Sequence, residues 1–169
     1  MKTLFSSSLN SLLLKCIALI SIYCLLSCDA SVPDKAFQKY SEAVAFYMEG
    51  ELENAISLLD QLHNDYPRFN EASQFYGRVL FYSEHYEQAI LCLEKSIQYS
   101  VNIDSSKLLA RSYLRQKEAE KAEIILNKAL KYSAEDPELL FLRARCRTAL
   151  NDPEEALALL TAASSLMER

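Results

Sequence analysis

Gly77-Arg-Val-Leu-Phe-Tyr-Ser-Glu-His-Tyr-Glu-Gln-Ala-Ile-Leu-Cys-Leu93 is the stretch on which the fold turns. It holds a small residue (Gly77), a bulky one a turn later (Leu80), an alanine (Ala89) and a leucine one turn after that (Leu93). The same pattern returns along the chain. Alanines stand at Ala55, Ala89, Ala122 and Ala156, spaced 34, 33 and 34 residues apart, each followed by a leucine at Leu59, Leu93, Leu126 and Leu160. Each alanine is preceded by a small residue at Ala43, Gly77, Ala110 and Ala144. The bulky position reads Phe46, Leu80 and Tyr113, with Arg147 as the exception. Four copies of one spacing define an internal repeat, and a repeat of this length is a supersecondary unit that must stack to bury its apolar face.

The pattern has a steric reason. Two antiparallel helices approach closely only where side chains are small, so a Gly or Ala on the first helix faces an Ala on the second while Leu, Phe and Tyr fill the flanks. The spacing predicts helix pairs at 34–49 with 52–65, 69–83 with 86–99, 103–116 with 118–132, and 136–149 with 153–167. Gly50 suits a left-handed cap after the first helix. Asn102 or Asp104, and Asp136, are candidate N-caps, and Pro153 in Asn151-Asp-Pro-Glu-Glu-Ala156 suits a first helical turn. Only two glycines and four prolines in 169 residues agree with helices joined by short turns.

Small residue, bulky residue, alanine and leucine at these offsets resemble the tetratricopeptide repeat. The resemblance covers residues 36–169 and implies an all-α solenoid of four helix-turn-helix units in a right-handed superhelix, with repeats at 36–69, 70–102, 103–136 and 137–169. It also implies a binding module in which the first helices of successive repeats line a concave groove.

Residues 1–27 read as an address. Lys2 and Lys15 precede the uncharged core from Cys16 to Leu26, which is short against the roughly 20 residues of a membrane span. Leu25-Leu26-Ser27-Cys28 resembles the lipobox of bacterial lipoproteins, which implies cleavage after Ser27, acylation of Cys28, a tether over 28–35 and attachment to a membrane of the cell envelope, on its periplasmic or outer face. Two or more acyl chains on Cys28 hold a protein stably where one is marginal. Cys92 and Cys146 then remain as thiols on non-adjacent repeats and are expected to be buried and unpaired.

A net charge of −5, with 18 basic and 23 acidic residues, speaks against general nucleic-acid binding, which needs a basic surface. His63 and His85 are the only histidines, and neither has ligands at metal spacing. Catalysis by Ser or Cys needs a base held nearby, and Cys92 and Cys146 are expected to sit in repeat-packing helices without one; two glycines leave no phosphate-cradling loop. The reading is therefore a protein that is not an enzyme and carries no cofactor or metal.

The groove positions do carry chemistry. The residue after each small position reads Val44, Arg78, Arg111 and Arg145. One turn before stand Tyr40, Gln74, Lys107 and Phe141, and nearly one turn after come Tyr47, Phe81, Leu114 and Thr148, with Met48, Tyr82 and Arg115 beside them. On stacked first helices these residues share a face, aromatic at its N-terminal end and basic from the second repeat on. Arginine offers carboxylates a fixed fork of donors, and aromatic rings anchor a peptide. The candidate site is accordingly Tyr40, Tyr47, Gln74, Arg78, Phe81, Tyr82, Lys107, Arg111, Arg115, Phe141 and Arg145, and the candidate partner an acidic protein segment. Two alternatives stand beside it. The arginines could pair with acids such as Glu71 or Glu138, or Tyr40, Tyr47 and Phe81 could form a small-molecule pocket of a transporter accessory. Leu157, Leu159, Leu160, Leu166 and Met167 leave the helix at 153–167 apolar on more than one side, which predicts a self-association surface at that end.

Overall fold

The computed structural model describes residues 32–99 and 101–168. The leader, Ser27 and Cys28 lie outside that range. Among the described residues there are eight α-helices and no strand: α1 Asp34–Glu49, α2 Leu52–Asp65, α3 Asn70–Tyr82, α4 Tyr86–Tyr99, α5 Ile103–Arg115, α6 Ala119–Leu130, α7 Pro137–Ala149 and α8 Pro153–Met167. Each helix packs on the next, and the first helices of successive repeats also meet, α3 with α5 and α5 with α7. This is an α-solenoid of four helix-turn-helix units, with helix ends within two residues of those expected. No described helix is long and apolar enough to cross a membrane.

The repeat positions account for the core. Ala43, Ala55, Ala89, Ala110, Ala122, Leu59, Leu93 and Leu126 have no exposed surface. Gly77 is explained by a different neighbour from the one expected. A Cβ there would sit 2.5 Å from Cγ and Cδ2 of Leu93, so the leucine of the second helix, and not the facing alanine alone, requires the missing side chain.

The turn inside every repeat is built alike. Gly50, Glu84, Lys117 and Asn151 all have positive φ, between 60° and 83°, and they recur at the repeat spacing. In each turn this residue's N–H bonds the carbonyl three back, and the next N–H bonds the carbonyl five back: Glu51 to Phe46, His85 to Leu80, Glu118 to Tyr113 and Asp152 to Arg147. That pair of bonds is the Schellman closure of a helix C-terminus. Gly50 is its natural occupant, and Asn tolerates the conformation, but Glu84 and Lys117 adopt it at a cost. At the N-termini, Asn102 rather than Asp104 caps α5, accepting from Ser105 N–H at 2.8 Å. Asp136 caps α7 through Glu138 and Leu139 N–H, both at 3.0 Å.

Leu160 breaks the pattern of its three equivalents and is 39% exposed. Leu59, Leu93 and Leu126 are covered because another repeat follows theirs. Over α8 no further repeat packs among the described residues, and Leu157 and Met167 stand about two-thirds exposed beside Leu160.

Candidate functional site

Two open hollows mark the face formed by α3, α5 and α7, and nine of the eleven candidate residues line them. The first, about 410 Å³, is lined by Tyr47, Arg78, Tyr82, Asp104, Lys107, Leu108, Arg111 and Glu138. The second, about 270 Å³, is lined by Phe81, Arg111, Arg115, Phe141, Leu142 and Arg145. Arg111 belongs to both. The helical spacing that predicted a shared face therefore delivers it, because residues one turn apart on stacked first helices point the same way.

Tyr40 and Gln74 line neither hollow. Tyr40 packs edge-on against Phe69 and Phe75, with centroids 5.4 and 5.8 Å away, and burial raises its pKa. Gln74 accepts a hydrogen bond from Asn102 at 3.1 Å, tying α3 to the cap of α5. Phe69 and Phe75 escaped the repeat pattern. Phe75 lies between Tyr40 and Tyr47, so the aromatic N-terminal end is an interlocked cluster. Tyr47 and Phe81 line separate hollows.

The arginine row divides by partner. Arg111 forms an ion pair with Glu138, and Lys107 bridges Asp136 at 2.8 Å and Glu138 at 3.0 Å. Burial alone would lower the Lys107 pKa, but these two carboxylates outweigh it and raise it. In the same way burial would raise Asp136, yet bonds from Lys107 and from backbone N–H groups hold it below its ordinary value. Among the described residues Glu71 makes no such pair with an arginine. Among the described residues, Arg78, Arg115 and Arg145 have no carboxylate partner; Arg115 lies 5.9 Å over the ring of Tyr86.

Arg147, the exception to the bulky position, belongs to a different cluster. It pairs with Glu123 at 2.5 Å and Glu155 at 3.1 Å. Arg143 reaches Glu155 at 2.7 Å and Glu123 at 3.6 Å. Carboxylates on α6 and α8 thus hold α7 from both sides.

One expectation is corrected. Cys92 does have a base beside it, since His63 Nδ1 lies 3.9 Å from its Sγ and 3.1 Å from Ser73 Oγ. The two residues are 29 apart in sequence and meet only because α2 and α4 flank α3. The contact does not activate the thiol. Burial pushes Cys92 up to about 12 and Cys146 up to about 11, both are buried and unpaired, and an inert thiol is the outcome of such surroundings. Among the described residues no group of three or more metal-binding side chains comes together.

Comparison with known proteins agrees with this architecture. The tetratricopeptide repeat family matches residues 107–165, and a family described as anaphase-promoting complex, cyclosome, subunit 3 matches residues 48–129. No curated protein matches by sequence. Among solved structures, MamA MSR-1 C2 superposes with a TM-score of 0.75 at 20% identity, covering 83% of this chain and 81% of that one. MamA 41-end from Desulfovibrio magneticus RS-1 gives 0.74 at 20%, covering 79% and 76%. A further crystal structure of MamA gives 0.75 at 18%, covering 81% of each. At such identities the likeness establishes the fold, which is that of a tetratricopeptide-repeat solenoid.

Proposed function

We propose that the chain is a membrane-tethered scaffold of the bacterial cell envelope that holds a segment of another protein against the α3–α5–α7 face, and that it is not an enzyme. The observation that carries this reading is the pair of adjoining open hollows, in which tyrosine and phenylalanine rings alternate with cationic side chains. Rigid rings and planar guanidiniums are the side chains that dominate protein recognition, and hollows open to solvent suit an extended segment better than an enclosed small molecule. Buried thiols with raised pKa support the non-catalytic reading.

Site-specific photocrosslinking in cells tests the groove. A crosslinker at Phe141 should trap a discrete protein adduct, whereas one at Leu91 on α4 should not; equal adducts at both positions would remove the groove as the site. The tether rests on Ser27-Cys28, and Cys28→Ala should move the protein from the membrane fraction to the soluble one. The uncovered α8 face is the surface on which copies of the chain would associate, read by sedimentation across a range of concentrations before and after Leu157→Glu.

A further inference from the structure

The two hollows differ in charge. In the first, Arg78, Lys107 and Arg111 are offset by Asp104 and Glu138 within the lining itself, and Lys107 has Asp136 as well. In the second, three guanidiniums from Arg111, Arg115 and Arg145 surround two phenyl rings and Leu142, and no carboxylate lines the wall. Only Arg111 is answered from nearby, by Glu138. Arg115 and Arg145 are exposed and have no carboxylate partner among the described residues. Phe141, on α7, is 43% exposed. A concentration of positive charge around an exposed ring, in a chain of net charge −5, is a local inversion of the molecule's own field.

We propose that this second hollow is an acidic-apolar docking point: it takes a bulky apolar side chain of a partner protein on Phe81 and Phe141, with carboxylates one or two residues away received by Arg115 and Arg145. The assignment rests on the groove reading above and adds to it a place and a ligand chemistry. The charge argument selects the occupant. A basic or neutral segment would leave two guanidiniums unanswered at a contact that partly desolvates them, whereas carboxylates meet them in fork geometry. The rings select the second component, since a purely polar acidic segment would leave Phe141 in water. The first hollow, already balanced, gives the same segment continuity without adding charge preference.

The test uses the full chain in detergent and three fluorescent peptides: one alternating Asp or Glu with Phe or Leu, one with lysine in place of the acids, and one with serine in place of the apolar residues. The first should bind roughly tenfold or more tighter than either control, and Arg115→Ser with Arg145→Ser should remove that advantage. Both arginines are exposed, and unchanged helical circular dichroism verifies the fold of the variant. Lys95→Ser with Lys128→Ser, which removes two cations from α4 and α6, should leave the affinity unaltered. Three peptides binding alike, no peptide binding, or equal losses in both double variants would overturn the assignment. A surviving crosslink from Phe141 with no preference for the acidic peptide would overturn the ligand chemistry alone. Loss of the crosslink's specificity would overturn the groove.

Discussion

The junction between the first and second repeats and the junction between the third and fourth solve one packing problem with opposite chemistry. At the first, Phe69 is buried between Phe37 and Tyr40, with centroids at 4.9 and 5.4 Å, and Phe75 interlocks with Tyr40 and Tyr47. His63, Ser73 and Cys92 join α2, α3 and α4 in a small polar inlay, with the His63 ring 6.0 Å from that of Tyr76. At the last, Arg143 and Arg147 are clamped by Glu123 and Glu155 across three helices. The helices stack in the same way in both places. The repeat therefore prescribes where a side chain stands, while what holds it there is free to vary. Aromatic burial carries no charge for salt to screen, whereas the ion pairs of the last junction are weakened by screening.

The sharpest way to break the comparison is to empty the aromatic junction. Phe69→Ala should cost about 3–5 kcal/mol, the range for truncating a fully buried aromatic, and urea denaturation in low and high salt should give the same loss. Glu123 is 13% exposed on its side chain, so Glu123→Gln leaves two partly buried guanidiniums under-compensated. A loss of about 1–3 kcal/mol is expected, below the figure for a fully buried pair because water reaches the arginines. Raising salt should shrink that loss, and a salt-independent loss would show that shape rather than charge holds this junction.

Acid separates the two junctions further. Burial lowers the His63 pKa below its ordinary 6.5, helped by Lys95 and opposed by Asp60. The folded chain thus favours neutral His63. Its contribution is complete above about 6.5 and is lost as pH falls through the lower folded value. Asp136 is lowered from 3.8, so its share persists until pH falls through the carboxylate range. Hydrogen exchange at mildly acid pH should loosen α2–α4 before α6–α8, and His63→Gln should abolish the difference. The smallest effect belongs to the turns that both regions share. Glu84→Gly and Lys117→Gly should each stabilise by about 0.5–1 kcal/mol, because glycine accepts positive φ without strain; no change in melting temperature for either would mean that the local turn already relieves it.

Periodicity carried most of the fold because every repeat had to place a small residue against the same neighbour, and steric demands of that kind leave a fixed spacing in sequence. The shared face of Arg78, Arg111 and Arg145 was legible for the same reason. What periodicity could not carry was pairing. Glu138 neutralises Arg111 and not Arg145, which depends on which acid the following helix brings within reach. His63 meeting Cys92 joins residues on either side of an intervening helix. The positive φ at Glu84 and Lys117 was hidden because neither residue type announces it, whereas Gly50 does. Phe69 and Phe75 lie off the repeat positions, so nothing in the spacing singled them out.

Those turns have a consequence for how the chain can be rebuilt. Four different residues close the same two backbone bonds, so the closure is enforced by the chain's path and not by the letter that occupies it. The turns are then interchangeable couplings. The connector around Gly50 could be transplanted into the later units with both flanking helices left untouched, and units of different surface chemistry could be joined through it in a new order.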